Sequence, residues 1–115
     1  MSQNIINRDS ERLAHILDCC TKIENYVSNS DRDEKTQEAI ERNLTIIGEA
    51  CRVVSDELKA KYPLIPWAEI RGMRNILVHE YYITEAETVW DVAEHKIPAL
   101  KNWIEEIFKI LEGKQ

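Results

Sequence analysis

A run of apolar residues in the middle of this chain repeats at alternating steps of four and three positions. Such a repeat places all of its members along one side of an α-helix. The repeat extends from Ile40 to Leu58, so we predict one long helix from about Glu34 to Ala60. Its members are Ile40, Leu44, Ile47, Cys51, Val54 and Leu58. Further apolar residues beside this stripe predict that the helix packs centrally, and these are Ile46, Ala50 and Val53.

Three more helices are predicted on either side of it. The first has an apolar stripe that consists of Leu13, Ile16, Leu17, Cys20, Ile23 and Val27. The third begins at Pro66, because the first turn of a helix tolerates the missing N–H of proline, and it extends to about Tyr82. The fourth begins with a capping box, in which Thr84 is the N-cap and Glu87 is the third helical residue. Pro98 lies inside this fourth helix and is expected to bend it.

The chain has only three glycines and three prolines among its 115 residues. A multistranded β fold needs more turn residues than this, so we predict an all-α fold. Four amphipathic segments with short connections indicate an up-down helical bundle that forms a single domain over residues 1–115. The wide stripe of the second helix, together with Trp90 and Trp103, leaves apolar surface uncovered. This surplus predicts a homodimer.

Charge is distributed unevenly along the chain. The formal net charge of −6 disfavours non-specific binding of nucleic acid by the whole surface. The window from Arg52 to His79 holds five basic and three acidic residues, a net charge of +2, which leaves −8 for the remainder. Chemistry on RNA or on phosphate is therefore expected in this window.

Composition also bears on the cellular location of the protein and on whether it binds a metal or a cofactor. No apolar stretch approaches the roughly 20 residues that a membrane span needs, and the first nine residues lack the apolar core of a secretory signal. We therefore expect a cytoplasmic protein with no membrane partner. The three cysteines form no C-x-x-C pair and are expected to be buried, reduced thiols. His15 lies one turn before Cys19, but the second ligand pair of a zinc site is missing, so we expect no metal and no cofactor.

The residues suited to chemistry lie together between positions 71 and 82. On a helix, Arg71, Asn75 and His79 are spaced four apart and share a face. Arg74 and His79 are five apart, which separates them by about 140°. Histidine can transfer protons near neutral pH, and a guanidinium binds phosphate through paired donors. This set suits metal-independent cleavage of RNA, with a second chain as one way to bring Arg74 and His79 together.

Spacing alone leaves a purely structural interpretation open. Asn75 and His79 could cap the helix or form hydrogen bonds within the bundle, and Arg74 could pair with Glu49 or Glu69. Glu49 has two interpretations of its own. It either orients Arg74 or His79 across the bundle, or it is a hydrogen-bonded carboxylate of the core.

Six short segments occur in a characteristic order between Ala39 and Leu100. They are Ile47-Gly48-Glu49-Ala50, Ile65-Pro66-Trp67, Gly72-Met73-Arg74-Asn75, Val78-His79-Glu80-Tyr81, Val89-Trp90 and Ile97-Pro98-Ala99-Leu100. In these segments the chain resembles the HepT-like toxin family of the HEPN superfamily. The superfamily motif consists of an arginine, then four residues of which the first is polar, and then a histidine. Arg74, Asn75 and His79 match that motif.

The resemblance implies a helical homodimer in which the motifs of both chains line one cleft, and a metal-independent endoribonuclease activity. It implies that Arg74 and His79 are catalytic and that Asn75 assists them. It also implies a toxin–antitoxin pair, whose antitoxin is a minimal nucleotidyltransferase that transfers AMP to Tyr81, two residues after His79. Apart from the resemblance, Arg52 and Arg71 are expected either to support binding of the RNA backbone or to be solvated surface residues.

A second hypothesis belongs to a different functional class. The chain would be a non-catalytic helical binding module that docks onto a nucleotidyltransferase. The acidic net charge and the surplus of apolar surface motivate this alternative. It predicts a protein that changes the kinetics of the transferase and neither binds nor cuts RNA.

Overall fold

The computed structural model describes residues 3–29, 31–73 and 85–113, and all regular structure within these ranges is helical. In chain order the elements are α1 (Gln3–Ser28), α2 (Glu34–Arg52), α3 (Asp56–Lys61), α4 (Trp67–Arg71), α5 (Glu85–Asp91), a π-helical turn (Val92–Lys96) and α6 (Ile97–Leu111). The predicted all-α fold is confirmed. Among the helices of these ranges, none combines the length and the apolarity that crossing a bilayer requires.

The long helices α1, α2 and α6 form the centre of the bundle. α1 packs against both of the others, and their apolar stripes share one core. Asp9 near the start of α1 contacts Ser55 just after the end of α2, so these two helices run antiparallel. Glu24 near the end of α1 accepts a hydrogen bond at 2.8 Å from Lys101 near the start of α6, so α6 is also antiparallel to α1. This arrangement agrees with the predicted up-down bundle.

The second predicted helix is two helices in the structure. The prediction of one helix from about Glu34 to Ala60 is wrong at residues 53–55, where a turn separates α2 from α3. The predicted burial is nevertheless confirmed along the whole repeat, because Val54 and Leu58 beyond the break are as buried as the members before it. Val53 was expected to widen the buried stripe, but its side chain is 45% exposed.

Ser55 explains why the helix stops and restarts here. It is the N-cap of α3, and its hydroxyl oxygen accepts a hydrogen bond at 3.1 Å from the backbone N–H of Leu58. The backbone N–H and the hydroxyl of Ser55 donate in turn to the two carboxylate oxygens of Asp9, at 2.9 and 2.7 Å. Asp9 is 1% exposed, so a buried carboxylate of α1 holds this turn in place.

The fourth predicted helix changes its hydrogen-bond pattern near the proline that was expected to bend it. The backbone N–H of Ile97 donates to the carbonyl of Val92, five residues earlier, which defines the π-helical turn. Pro98 then stands in the first turn of α6, where its missing N–H is tolerated. Thr84, the predicted N-cap of this helix, lies outside the described residues.

Trp90 is part of the core and does not belong to the uncovered apolar surface that the sequence predicted. It is 4% exposed, and the guanidinium of Arg32 lies 5.0 Å from the centre of its ring, a cation–π contact. Arg32 also pairs with Glu94 of the π-helical turn. Trp103 is 38% exposed, which agrees with the expectation for that residue.

Candidate functional site

The residues that the sequence places at the centre of the site follow directly after α4. This helix begins after Pro66, as predicted, and Gly72 is its C-cap. The prediction of one helix from Pro66 to about Tyr82 is wrong at Gly72, and the predicted helical residues after Met73 lie outside the described part of the chain. Four predicted site residues lie outside the described part of the chain, namely Arg74, Asn75, His79 and Tyr81. Their roles stay predictions. The structure describes instead how the chain leads into the motif.

Helix α4 is anchored at both of its ends. The indole N–H of Trp67 donates to the carbonyl of Tyr62 at 2.9 Å, and the thiol of Cys51 contacts the carbonyl of Trp67 at 3.7 Å. Ile70 and Met73 are 2% and 3% exposed, so the last residues before the motif are packed into the core. The chain therefore enters the motif from a position that is fixed relative to α2.

A second connection joins α4 to the π-helical turn. The ammonium of Lys96 donates to a carboxylate oxygen of Glu69. These two residues, with Met73 and Trp103, line a small cavity of about 160 Å³. Glu69 was one of two carboxylates considered as a partner of Arg74, and in the structure it pairs with Lys96.

Arg71 is exposed in the last turn of α4 and lies near the end of α2. Burial raises the pKa of the Cys51 thiol, and the positive charges of Lys59 and Arg71 partly oppose that increase. Both cations are thus close enough to Cys51 to act on it. Arg52, the next residue in the chain, is exposed as well, so basic side chains gather around the end of α2.

Glu49 is exposed on α2, so its interpretation as a core carboxylate is wrong. The helical spacing already contained this signal, because Glu49 lies about 200° around the helix from Ile47 of the buried stripe. Whether Glu49 orients Arg74 or His79 stays a prediction. Its observed surroundings are a groove of about 390 Å³ between α1 and α2, which it lines together with Arg12, among other residues.

The sequence did not indicate this groove. Arg12 and His15 are three residues apart on α1 and share a face, and this spacing was the available signal. The structure places them opposite Glu49 and Arg52 of α2. The pairing of α1 with that part of α2 depends on the tertiary fold, so the spacing on α1 alone could not reveal it.

The cysteines are not suited to nucleophilic chemistry. All three are free and buried, which confirms the prediction for Cys19, Cys20 and Cys51. Burial is the main cause that raises the pKa of the Cys20 thiol to about 12, so it is protonated at neutral pH. Within the described ranges, no three His, Cys, Asp or Glu side chains come together as a metal site requires.

Comparison with known proteins adds to this geometry. The family model described as "Ribonuclease HepT-like" matches residues 16–107. "Putative RNase MJ1216" of Methanocaldococcus jannaschii is 36% identical over 107 residues, which cover 89% of this chain and 88% of that protein. "Probable ribonuclease HepT" of Thermococcus cleftensis is 39% identical over 77 residues, which cover 67% of this chain and 70% of that protein. No solved structure matches this chain.

Proposed function

This chain belongs to the family of HepT-like ribonucleases, and we propose that it is a metal-independent endoribonuclease and the toxin component of a toxin–antitoxin pair. The observation that carries the proposal is the family match over residues 16–107, a range that includes Arg74, Asn75 and His79 in the order of the superfamily motif. The names of the relatives support RNA as the substrate class. Because cellular RNA is the proposed substrate, we place the protein in the cytoplasm.

The proposed reaction needs a base, a cation and the substrate's own hydroxyl group. His79 removes the proton of a ribose 2′-hydroxyl, and the 2′-oxygen forms a bond to the adjacent phosphorus. Arg74, assisted by Asn75, stabilises the extra negative charge of the five-coordinate phosphorus. The bond from phosphorus to the 5′-oxygen then breaks and that oxygen takes up a proton, so the upstream product ends in a 2′,3′-cyclic phosphate. No metal or cofactor takes part.

We propose that two chains complete the site. Arg74 and His79 would be about 140° apart on one helix, so a partner chain supplies the residue that the first chain cannot bring close. Exposed apolar side chains support such an interface. Leu64, Trp103 and Ile110 are 95%, 38% and 50% exposed, and they line a shared cavity of about 370 Å³. Exposed apolar patches on soluble proteins are typical of interaction surfaces.

We propose that a covalent modification of Tyr81 inhibits this activity. A nucleotidyltransferase antitoxin would transfer AMP from ATP to the hydroxyl of Tyr81 and release pyrophosphate. The attached phosphate would place a negative charge two residues from His79, so that it repels the RNA backbone while the nucleoside blocks the cleft. Incubation with the transferase and ATP should add the mass of one AMP group at Tyr81 in a peptide mass spectrum. Absence of that addition would count against this step.

The decisive experiment compares wild-type protein with His79→Ala and Arg74→Ala on a mixed RNA pool in EDTA. We expect both variants to lose at least about 100-fold in cleavage rate, and the wild-type products to carry 2′,3′-cyclic phosphate ends. His95→Ala is the matched control, because His95 is exposed and contacts Asp91 of the preceding turn at 3.1 Å. Intact mass is measured first, so that only unmodified protein is assayed. Cleavage that requires Mg²⁺, or that survives in both variants, would refute the proposal.

A second candidate function is favoured by the net charge of −6, which does not suit an RNA-binding enzyme. In this alternative the chain is a non-catalytic helical module that docks onto a nucleotidyltransferase. It predicts that purified protein changes the kinetics of the transferase while wild type and His79→Ala are equally inactive on RNA. RNA cleavage by wild type alone would exclude it.

A further inference from the structure

The groove between α1 and α2 carries positive side chains that the proposed reaction does not use. Its volume is about 390 Å³, and its polar lining consists of Arg12, His15, Glu49 and Arg52. Arg12 is half-buried, and the other three are exposed. The lining therefore holds two arginines and one carboxylate, a formal charge of +1, on a protein whose net charge is −6. A lining with a net positive charge attracts anions more than the acidic surface of the rest of the protein does.

The guanidinium of Arg12 does not form a hydrogen bond with the carboxylate of its neighbour Glu11. Arg12 Nη1 lies 3.9 Å from Glu11 Oε2, which is longer than a hydrogen bond. The two side chains are 39% and 74% exposed, so this ion pair contributes little. A guanidinium presents a planar set of donors that matches the oxygens of a phosphate group. Arg12 is thus suited to bind a phosphate ligand.

The two backbone segments that carry the arginines are joined by a contact three residues away from each arginine. Asp9 lies three residues before Arg12 on α1, and Ser55 lies three residues after Arg52. The hydrogen bonds from Ser55 to Asp9, at 2.9 and 2.7 Å, join these two parts of the chain. The backbone on both sides of the groove is therefore fixed before a ligand arrives. A preorganised site loses less conformational freedom on binding than a flexible one.

The helix that carries Arg52 also contacts the helix that leads into the motif. Helix α4 packs against α2, and its last turn carries Arg71, three residues before Arg74. Lys59 and Arg71 both act electrostatically on Cys51, which is next to Arg52 in the chain. Basic groups thus extend around the end of α2, from the groove toward α4.

We propose that this groove binds backbone phosphates of single-stranded RNA next to the bond that is cleaved, with Arg12 and Arg52 as the phosphate ligands. This inference rests on the proposed function and names residues that hold the same substrate. His15 can add a ring N–H donor. The two arginines are positioning residues, since they act on phosphates that do not react.

The test measures RNA binding without cleavage. The probe is a fluorescein-labelled single strand of mixed sequence whose riboses carry 2′-O-methyl groups, which removes the attacking hydroxyl. Fluorescence anisotropy gives its affinity for wild type and for the double variant Arg12→Ala/Arg52→Ala over a series of salt concentrations. We expect the double variant to bind about tenfold more weakly at low salt, and the slope of log K against log salt to become shallower by about 1.4, which corresponds to two lost phosphate contacts.

The matched control removes two charges from the same helices at their opposite ends. Lys22→Ala/Lys35→Ala changes exposed residues of α1 and α2, and Lys35 lies about 25 Å along α2 from Arg52. We expect this control to change affinity by less than about twofold, because charges at that distance are screened. Arg12→Lys/Arg52→Lys should keep the wild-type salt slope and recover only part of the affinity, since lysine retains the charge and lacks the planar donors.

Equal losses in Arg12→Ala/Arg52→Ala and in the control would overturn the groove assignment, and so would a wild-type protein that does not bind the probe. Circular dichroism spectra of all variants check that the fold is retained. The cleavage assay with His79→Ala decides the proposed function separately. If wild type cleaves RNA while Arg12→Ala/Arg52→Ala and Lys22→Ala/Lys35→Ala bind the probe alike, only the groove is refuted. If wild type and His79→Ala are equally inactive, the ribonuclease proposal fails.

Discussion

Two interruptions within the described helices differ in what makes the break: a buried carboxylate from another helix caps one, and a backbone hydrogen bond makes the other. At residues 53–55 the cap residue Ser55 donates two hydrogen bonds to Asp9, which is 46 residues earlier in the chain. At Val92–Lys96 the chain forms a π-helical turn with no side-chain cap, and the next backbone N–H, that of Ile97, donates to Val92. Glu94 and Lys96 of this turn pair with Arg32 and Glu69 at partly exposed positions, so the first interruption depends on a buried tertiary contact and the second only on partly exposed ones.

This difference determines how much each interruption contributes to stability. Asp9 is 1% exposed, and a buried carboxylate is tolerated only when hydrogen bonds satisfy it. Removing one partner of that contact leaves a buried polar group unpaired, which is costly. The π-helical turn contains no buried charge that depends on one partner. We therefore expect large effects from substitutions at the first interruption and small effects at the second.

The largest effect is expected for Asp9→Ala. The free energy of unfolding should fall by about 3 kcal/mol, because two hydrogen bonds to a charged acceptor are lost and the backbone N–H of Ser55 loses its partner. Urea denaturation followed by circular dichroism measures this change. Protein concentration is held constant, since any self-association adds to apparent stability.

The control for this substitution is Asp18→Ala on the same helix. Asp18 is exposed and pairs with Lys22 at 3.1 Å, so its removal should cost less than about 1 kcal/mol. Similar losses in Asp9→Ala and Asp18→Ala would show that the buried contact does not hold the turn. In that case the distinction between the two interruptions would fail.

Ser55→Ala should have the next largest effect. It removes the N-cap of α3 and one hydrogen bond to Asp9, which together should cost about 1–2 kcal/mol. The backbone N–H of residue 55 can still donate to Asp9, so the loss should be smaller than for Asp9→Ala. The double variant Asp9→Ala/Ser55→Ala should lose less than the sum of the two single variants, because both remove the same interaction. Strict additivity would contradict the proposed coupling.

The two interruptions also show how much of the fold the sequence could predict. The repeat from Ile40 to Leu58 predicted the burial of its members correctly, since burial follows from helical periodicity on both sides of the break. It missed the break itself, because the group that stabilises the turn is Asp9 on another helix. Pro98 is a local signal, and it marked the region where the fourth helix changes its hydrogen bonding.

The residues of the candidate site differ in the same way in whether the sequence alone could reveal them. Arg74, Asn75 and His79 form a pattern within six residues, so the sequence could indicate them without the fold. The groove with Arg12 and Arg52 requires α1 and α2 to pack antiparallel, and the distance in sequence between its two arginines conceals it. Sequence reasoning therefore found the proposed chemistry and considered Arg52 for binding of the RNA backbone, but it could not find Arg12 or the groove that brings the two arginines together.

The smallest effect is expected for Pro98→Ala. Alanine restores a backbone N–H and is a better helix former, whereas proline restricts the unfolded chain, and these contributions oppose each other. We expect the free energy of unfolding to change by less than about 0.5 kcal/mol in either direction, measured by the same urea denaturation. A loss as large as that of Ser55→Ala would show that Pro98 stabilises the π-helical turn directly. The second interruption would then depend on a side chain, as the first does, although Pro98 lies next to the turn in the sequence.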